Sequence, residues 1–225
     1  MTRPTSAADS GPTVALVHGA FADSAGWNDV IAQLLGEGVP AVAVSNPLRG
    51  IAHDAAYVAS ALGQIPGSVL TVGHSYGGAL VSELADTPGV TSLVYVAAFA
   101  PDEGEALRDI EADSKDSVLN SALVPLRYPT DEGDATETEF AINAEKFHDA
   151  FAADVSPEQA RIMAATQRPI SALGSVNAPG RRRGGACRPG RSFRPGTRLR
   201  APTCCGAWPR ERARRSPRPR DRTSS

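Results

Sequence analysis

The sequence predicts an α/β domain built on a doubly wound, mostly parallel sheet, with a helical cap after the fourth strand. Two observations predict this class. From residue 12 to about 100, short apolar runs rich in β-branched residues alternate with segments whose apolar residues recur at helical spacing. The connections between them are short, which is typical of β-α-β units with parallel strands.

The first predicted unit is strand, helix, strand. Residues 13–17 form an apolar run rich in β-branched residues, as expected of a buried parallel strand. Residues 24–35 place their apolar side chains at helical spacing, and Gly36 ends the helix. The second strand is predicted over 39–44 and is closed by Asn46-Pro47.

The pattern continues for two more strands. Residues 51–63 have one apolar helical face, and 68–72 form the third predicted strand. A helix is predicted over 76–85, ending near Pro88, and the fourth strand over 90–98. Each helix is long enough to connect two parallel neighbours in one sheet.

The segment 101–170 is acidic and only weakly periodic. Helices are predicted over 134–153 and 157–168, and no strand is evident. An insertion after a strand end lies over the carboxyl edge of the sheet, where open α/β folds place their ligands. We therefore predict a helical lid or cap within a core domain of residues 12–178.

The last 46 residues, 180–225, contain 15 Arg, 6 Pro and 6 Gly but no Val, Ile, Met or Lys. Such a segment cannot supply a buried strand, so we predict that it is disordered and that the C-terminal strands of the domain are missing. A shift of reading frame near residues 172–181 is one hypothesis, since out-of-frame GC-rich coding sequence favours Arg, Pro, Gly, Ala and Cys.

Charge and cysteine usage favour a soluble enzyme. The net charge of −2 combines an acidic body, with 8 Lys/Arg and 23 Asp/Glu in residues 1–179, and a basic tail. The body gives no reason to expect nucleic acid or a membrane surface as a partner. All three cysteines lie in the tail, and neither a metal-site spacing nor a signal-peptide core is present. We expect a cytoplasmic protein.

The strongest functional motif is Gly73-His74-Ser75-Tyr76-Gly77, which lies between a predicted strand and a predicted helix. This is the G-x-S-x-G pattern of a nucleophile elbow, a tight turn that presents a serine hydroxyl. Glycine is needed on both sides, because a side chain there would collide with the neighbouring strand and helix. The motif predicts Ser75 as a catalytic nucleophile, with an ordinary Gly-rich turn as the alternative.

A second motif, His18-Gly19-Ala20, ends the first predicted strand. In a parallel sheet the loop after this strand lies beside the turn at Ser75. Its backbone can then aim an N–H group at a developing oxyanion. We predict that the N–H groups of Ala20 and Tyr76 form an oxyanion hole.

Residues 17–27, Val-His-Gly-Ala-Phe-Ala-Asp-Ser-Ala-Gly-Trp, and residues 73–78, Gly-His-Ser-Tyr-Gly-Gly, together resemble the small bacterial serine esterases of the α/β-hydrolase superfamily. Plant methyl esterases and hydroxynitrile lyases resemble the same group. The resemblance covers residues from about 12 to 175. Two spaced motifs make it more specific than either one alone.

The resemblance implies an α/β-hydrolase fold, a Ser-Asp-His triad, no metal or cofactor, and small carboxylic esters or related acyl compounds as substrates. By position it makes Ser75 the nucleophile and the N–H groups of Ala20 and Tyr76 the oxyanion donors. Phe21 and Trp27 are candidates to line an acyl pocket, with simple packing as the alternative. Esterase, lyase and peroxidase-like chemistry stay open, as does the oligomeric state.

The histidine content departs from the family pattern. In this fold the triad follows the order Ser, acid, His, with acid and base on loops after the cap. The chain has four histidines, and only His148 follows Ser75. His148 lies in the predicted cap, and Asp221 lies in the tail with no strand before it. We therefore expect impaired acyl transfer, because a serine without a base is a poor nucleophile at neutral pH.

Two other classes of function stay open. A non-catalytic homologue that keeps the pocket and binds a small molecule is the first. A nucleic-acid-associated protein that acts through the Arg-rich tail is the second. The tail has no helical periodicity and no interleaved aromatic residues, which disfavours the second class.

Overall fold

A computed structural model describes residues 11–102, 105–112, 117–130 and 133–176. The predictions for the tail, 180–225, and for missing C-terminal strands lie outside these residues. Within these residues the first sheet has four strands, β1 Thr13–Val17, β2 Ala41–Val44, β3 Val69–His74 and β4 Val90–Val96. All neighbouring pairs are parallel, and the spatial order is β2-β1-β3-β4.

Three helices connect these strands, α1 Asn28–Gly36, α2 Ile51–Leu62 and α3 Tyr76–Glu83. A short 3-10 helix, Ser24–Trp27, leads into α1. The side chains of α1 pack on one face of the sheet over Val14, Leu16 and Val72, while α2 and α3 cover the other face. The prediction of a doubly wound parallel sheet is therefore confirmed.

The register of the two central strands brings two loops together. Val17 is the last residue of β1, and it pairs with Val44 on one side and with Gly73 on the other. Gly73 in turn pairs with Tyr95. The carboxyl ends of the strands are thus level, so the loop after β1 and the turn after β3 lie side by side.

The region after β4 contains a second sheet, which corrects the prediction of a purely helical cap. Its antiparallel strands are β5 Leu123–Pro129, β6 Thr136–Ile142 and β7 Ile170–Ser171. The short helices around it are α4 Leu107–Ala112, α5 Phe147–Phe151, α6 Pro157–Thr166 and α7 Ala172–Val176. The predicted helix over 134–153 was wrong, since this segment holds β6 and only the five-residue α5.

The predicted helix over 157–168 is confirmed as α6, and its start follows ordinary capping rules. The Ser156 hydroxyl accepts the N–H of Gln159 at 3.1 Å, and Pro157 occupies the first helical position. Among the described residues, no helix combines the length and apolar character that a membrane crossing requires.

The second sheet packs against loops that follow β1 and β2. The N–H of Ser171 donates to the carbonyl of Leu48 at 2.9 Å. The ring of Phe151 meets that of Phe21 edge-on, with centroids 6.1 Å apart. The elements of the second sheet are therefore joined to the same end of the first sheet that carries the predicted site.

Candidate active site

Ser75 occupies a strained turn between β3 and α3. Its φ of +50° and ψ of −122° place a non-glycine residue in the left-handed half of the backbone map. The turn is held by its carbonyl, which accepts the N–H groups of Gly78 at 3.0 Å and Phe99 at 3.1 Å. Strain of this kind persists only where the surroundings enforce it, and it is concentrated at functional sites.

The Ser75 hydroxyl does not cap the N-terminus of α3, although Ser75 occupies the N-cap position. Ser75 precedes the first residue of α3, where a serine side chain normally caps the helix by accepting an N–H. Here the side chain makes no cap hydrogen bond. The hydroxyl, which is half-buried, is left available at the end of β3.

Glycine is required on both sides of Ser75, because backbone atoms pass too close for a side chain. A Cβ at Gly73 would lie 2.5 Å from the carbonyl oxygen of Gly77. A Cβ at Gly77 would lie 2.6 Å from the carbonyl oxygen of Val17. Both glycines belong to the predicted elbow motif, and these backbone contacts exclude a larger residue at either position.

The loop after β1 lies directly against Ser75. A Cβ added to Gly19 would come within 2.8 Å of the Ser75 Cβ and 3.1 Å of the His74 carbonyl oxygen. Gly19, the residue before Ala20, therefore lies beside the turn. The backbone of this loop can approach Ser75 only because residue 19 has no side chain.

His18 holds the loop after β1 in place through hydrogen bonds of its ring. Its Nε2 accepts the N–H of Asn46 at 3.2 Å, and its Nδ1 lies 2.9 Å from the carbonyl oxygen of Gly19. This pattern fits a neutral ring with its proton on Nδ1. Burial lowers the pKa of His18 below its ordinary value, which favours the same neutral form.

The two aromatic residues proposed for an acyl pocket have different surroundings. Phe21 is buried, adopts a φ of +60° and packs against Phe151 of α5. Trp27 packs with Val14 and its neighbours on the opposite face of the sheet, beneath α1. Trp27 therefore belongs to the core, whereas Phe21 stays a candidate for the pocket.

Both the backbone and the side chain of Tyr76 are held in place. Its backbone begins α3, and its buried hydroxyl donates to Asp54 Oδ2 at 2.8 Å. Burial, the Asp54 charge and this hydrogen bond raise the pKa of Tyr76 above its ordinary range, so the hydroxyl stays protonated and remains a donor.

Sequence reasoning missed Asp54, although a pattern for finding it was present. Ile51, Asp54, Ala55 and Val58 share one helical face, and all four are buried. A single carboxylate within an apolar helical stripe needs hydrogen-bond donors, because an unpaired buried charge is costly. That requirement points to a structural or functional contact.

None of the described histidines hydrogen-bonds to Ser75. His148 Nε2 bonds to the carbonyl oxygen of Val155 at 3.0 Å, within its own region. His53 is exposed and contacts Asp54, and the ring of His74 meets Trp27 edge-on. The other candidate for a triad partner, Asp221, lies outside the described residues.

A cleft of about 620 Å³ opens at the junction of the two sheets, away from the turn at Ser75. Its lining combines charged, aromatic and small polar residues, namely Arg49, His53, Tyr128, Pro129, Thr130, Ala135, Thr136 and Glu137. Ser75, Ala20 and Tyr76 are not among them, so the cleft is separate from the predicted site.

Comparison with solved structures agrees with this architecture. Polyneuridine aldehyde esterase is similar with a TM-score of 0.60 at 17% identity, over 76% of this chain and 75% of that one. The Arabidopsis methylesterase MES16 gives 0.55 at 18%, over 75% and 72%. The pyrethroid hydrolase PytH gives 0.56 at 21%, over 77% and 73%. At these identities the likeness establishes the fold.

No curated protein matches the sequence significantly. The sequence profile of the alpha/beta hydrolase family, in contrast, matches residues 14–220. This match includes both motifs and extends over most of the chain. The chain therefore belongs to the alpha/beta hydrolase family.

Proposed function

We propose that this chain is a serine hydrolase that cleaves small carboxylic esters or related acyl compounds through an acyl-enzyme on Ser75. The Ser75 oxygen adds to the carbonyl carbon as its proton passes to solvent, and the tetrahedral intermediate expels the alkoxide, which takes a proton from solvent and leaves as the alcohol, so that an ester remains on Ser75. Water then adds to this ester and releases the carboxylic acid, which regenerates the serine. No cofactor takes part in these steps.

The observation that carries the proposal is the conformation of Ser75. The residue is strained, follows a buried central strand and leaves its hydroxyl out of the helix cap. An ordinary Gly-rich turn would gain about 1 kcal/mol by using that hydroxyl as a cap. The arrangement instead keeps the oxygen free to react, as an elbow serine requires.

Two backbone N–H groups are assigned as the oxyanion hole. Tyr76 is the first residue of α3, so its N–H has no partner within the helix and lies at the positive end of the helix dipole. Ala20 follows Gly19, whose backbone lies against Ser75. Donors fixed in this way need no reorganisation when negative charge develops on the substrate oxygen.

The names of the similar structures support the same reaction class. They include an esterase, a methylesterase and a hydrolase of pyrethroids. Small-molecule acyl compounds are therefore the first substrates to test. Simple chromogenic esters should be tested before the substrates named for those proteins, because the structural similarity establishes only the fold.

The rate is expected to be low, since no general base is assigned. The four histidines of the chain are His18, His53, His74 and His148, and each has a described contact other than Ser75. In serine hydrolases, loss of the base costs on the order of 10⁶ in turnover, while roughly 10³ over water remains from the oxyanion hole and binding.

The same observation favours a second function, that of a small-molecule-binding homologue without turnover. If no base activates Ser75, the site can still bind an acyl compound while the chemical step is too slow to matter. The two functions differ in one measurable respect, which is whether Ser75 becomes acylated.

The test uses the full chain with p-nitrophenyl butyrate in single-turnover amounts, followed by peptide mass spectrometry. We expect slow release of p-nitrophenol and a butyryl group on Ser75. Ser75→Ala should abolish both, whereas Ser60→Ala, which changes an exposed serine on α2, should leave both unchanged.

Three results would count against the proposal. Release that survives in Ser75→Ala would exclude Ser75 as the nucleophile. Saturable binding of the ester without acylation, unaffected by Ser75→Ala, would establish the binding function instead. Turnover at the rate of ordinary esterases would disprove the missing base, and His148→Ala would then show whether His148 supplies it.

A further inference from the structure

The Asp54 carboxylate is held in one orientation by its surroundings and serves as an anchor for neighbouring groups. It lies in the first turn of α2 and is fully buried, at 0% exposure. Its carboxylate accepts the N–H of Arg49 at 3.0 and 3.1 Å and the N–H of Gly50 at 3.3 Å. The positive end of α2 also faces this negative charge. A carboxylate bonded from several sides cannot rotate without leaving buried donors unpaired.

One further donor connects this anchor to the turn at Ser75. The Tyr76 hydroxyl donates to Asp54 Oδ2 at 2.8 Å, and the Tyr76 side chain is buried. Tyr76 directly follows Ser75 in the chain. The side chain of Tyr76 therefore links the start of α3, where the strained serine lies, to the start of α2.

We infer that Asp54 is a positioning residue that, through the Tyr76 hydroxyl, holds the first turn of α3 in the orientation that catalysis at Ser75 requires. This inference rests on the proposed function. The hydrogen bonds from Gly78 and Phe99 to the Ser75 carbonyl fix one side of the turn. The Tyr76–Asp54 bond fixes the other side, next to the N–H assigned to the oxyanion hole.

A purely structural role for Asp54 makes a different prediction. As a cap for the loop before α2, Asp54 needs only its bonds to the N–H groups of Arg49 and Gly50. Removing the Tyr76 hydroxyl would then lower the unfolding midpoint without changing the reaction at Ser75. Tyr76→Phe tests this difference, because it keeps the ring and both cap bonds.

The experiment compares wild type with Tyr76→Phe, Asp54→Asn and the double variant. Tyr57→Phe is the control, since it removes a tyrosine hydroxyl from an exposed side chain on α2. Two readouts are taken from each folded protein. One is the acylation rate of Ser75 by p-nitrophenyl butyrate, with its saturation constant. The other is amide hydrogen exchange of Gly78, whose N–H bonds to the Ser75 carbonyl.

We expect Tyr76→Phe and Asp54→Asn each to slow acylation and to speed Gly78 exchange by about tenfold, the effect of one hydrogen bond to a charged group. The saturation constant should be unchanged, and the double variant should be no worse than either single variant. Should Asp54→Asn fail to fold, Tyr76→Phe alone decides.

Unchanged acylation and unchanged exchange in Tyr76→Phe would overturn the inference, as would an equal effect in Tyr57→Phe. If wild-type Ser75 is never acylated, the proposed function fails and the exchange of Gly78 still decides the positioning role. The two failures are thus distinguishable.

Discussion

The turn at Ser75 and the attachment of the second sheet depend on different kinds of contact. In the first sheet the decisive contacts join backbone to backbone, as where Gly77 passes the carbonyl of Val17 with no room for a Cβ. Where the second sheet meets the loop after β2, polar side chains also take part. Arg49 Nη1 lies 2.7 Å from Glu139 Oε2, and the guanidinium lies 4.3 Å above the Tyr128 ring. We therefore expect the turn at Ser75 to be sensitive to side-chain size, and the attachment of the second sheet to be sensitive to charge.

This difference fits what each region has to do. Backbone contacts hold the turn at Ser75 against the loop that contains Gly19, and the proposed reaction requires accurate positioning of the serine. Side-chain contacts join the second sheet to the loop after β2, where Arg49 and Asp54 are neighbours. Polar side-chain contacts of this kind are weaker and more dependent on solution conditions.

The largest effect is expected from adding one methyl group to the first sheet. Gly77→Ala would place a Cβ 2.6 Å from the Val17 carbonyl oxygen and 2.9 Å from that of His18. Neither backbone group can move freely, so the free energy of unfolding should fall by about 3 kcal/mol or more. Urea unfolding followed by circular dichroism measures it.

The control for this variant is Gly36→Ala at the end of α1, where an added Cβ meets nothing within 4 Å. It should raise the unfolding free energy by about 0.5–1 kcal/mol, the gain of alanine over glycine in a helix. Equal unfolding free energies in the two variants would show that the close backbone contact at Gly77 does not exclude a side chain there.

A smaller loss is expected from breaking the charge contact of the second sheet. Arg49→Met leaves Glu139, whose side chain is 11% exposed, without its cation. The unfolding free energy should fall by about 1–3 kcal/mol, the range for a hydrogen bond to a charged group. Arg108→Met is the matched control, because Arg108 and Asp109 form an exposed pair that should contribute about 0.5 kcal/mol or less.

A double variant sharpens this prediction. If Arg49 acts through Glu139, adding Glu139→Gln to Arg49→Met should restore part of the lost stability, because the unpaired charge is gone. Strictly additive losses would indicate that Arg49 stabilises the second sheet chiefly by covering the Tyr128 ring.

The smallest effect is expected in the pH dependence of stability. Burial lowers the pKa of both His18 and His74 below the ordinary value of 6.5, so the unfolded chain binds their protons more readily. Stability from these residues is present above pH 6.5 and is lost as pH falls below it. His74→Gln should make the decline of the unfolding midpoint below pH 6.5 less steep. An unchanged slope would contradict the buried neutral state of His74.

The candidate site was more predictable from the sequence than the region around it. Buried parallel strands are nearly continuous apolar runs, so β1 and β3 and the motifs at their ends were evident. β6 was not, because Thr136–Ile142 contains two glutamates, which are depleted in strands, and it has no continuous apolar run. Its glutamates are accommodated by partners distant in sequence, as Glu139 is by Arg49.

β5 was hidden for a related reason. It contains Pro125 and Pro129, and proline within an apolar run argues against a central strand. The structure places β5 at the edge of the second sheet, where the missing N–H groups cost little. Edge position is a tertiary property, so the same sequence gave no local indication of it.

The sequence by itself determined the order of strands and helices in the first sheet, and it predicted Ser75, Ala20 and Tyr76 as site residues. Those features depend on local patterns, namely apolar period and glycine spacing, which neighbouring residues set. Only the tertiary structure revealed the second sheet and the bond between Tyr76 and Asp54, which lie 22 residues apart. A contact between distant residues leaves no periodic trace in the chain, because it depends on how whole elements pack.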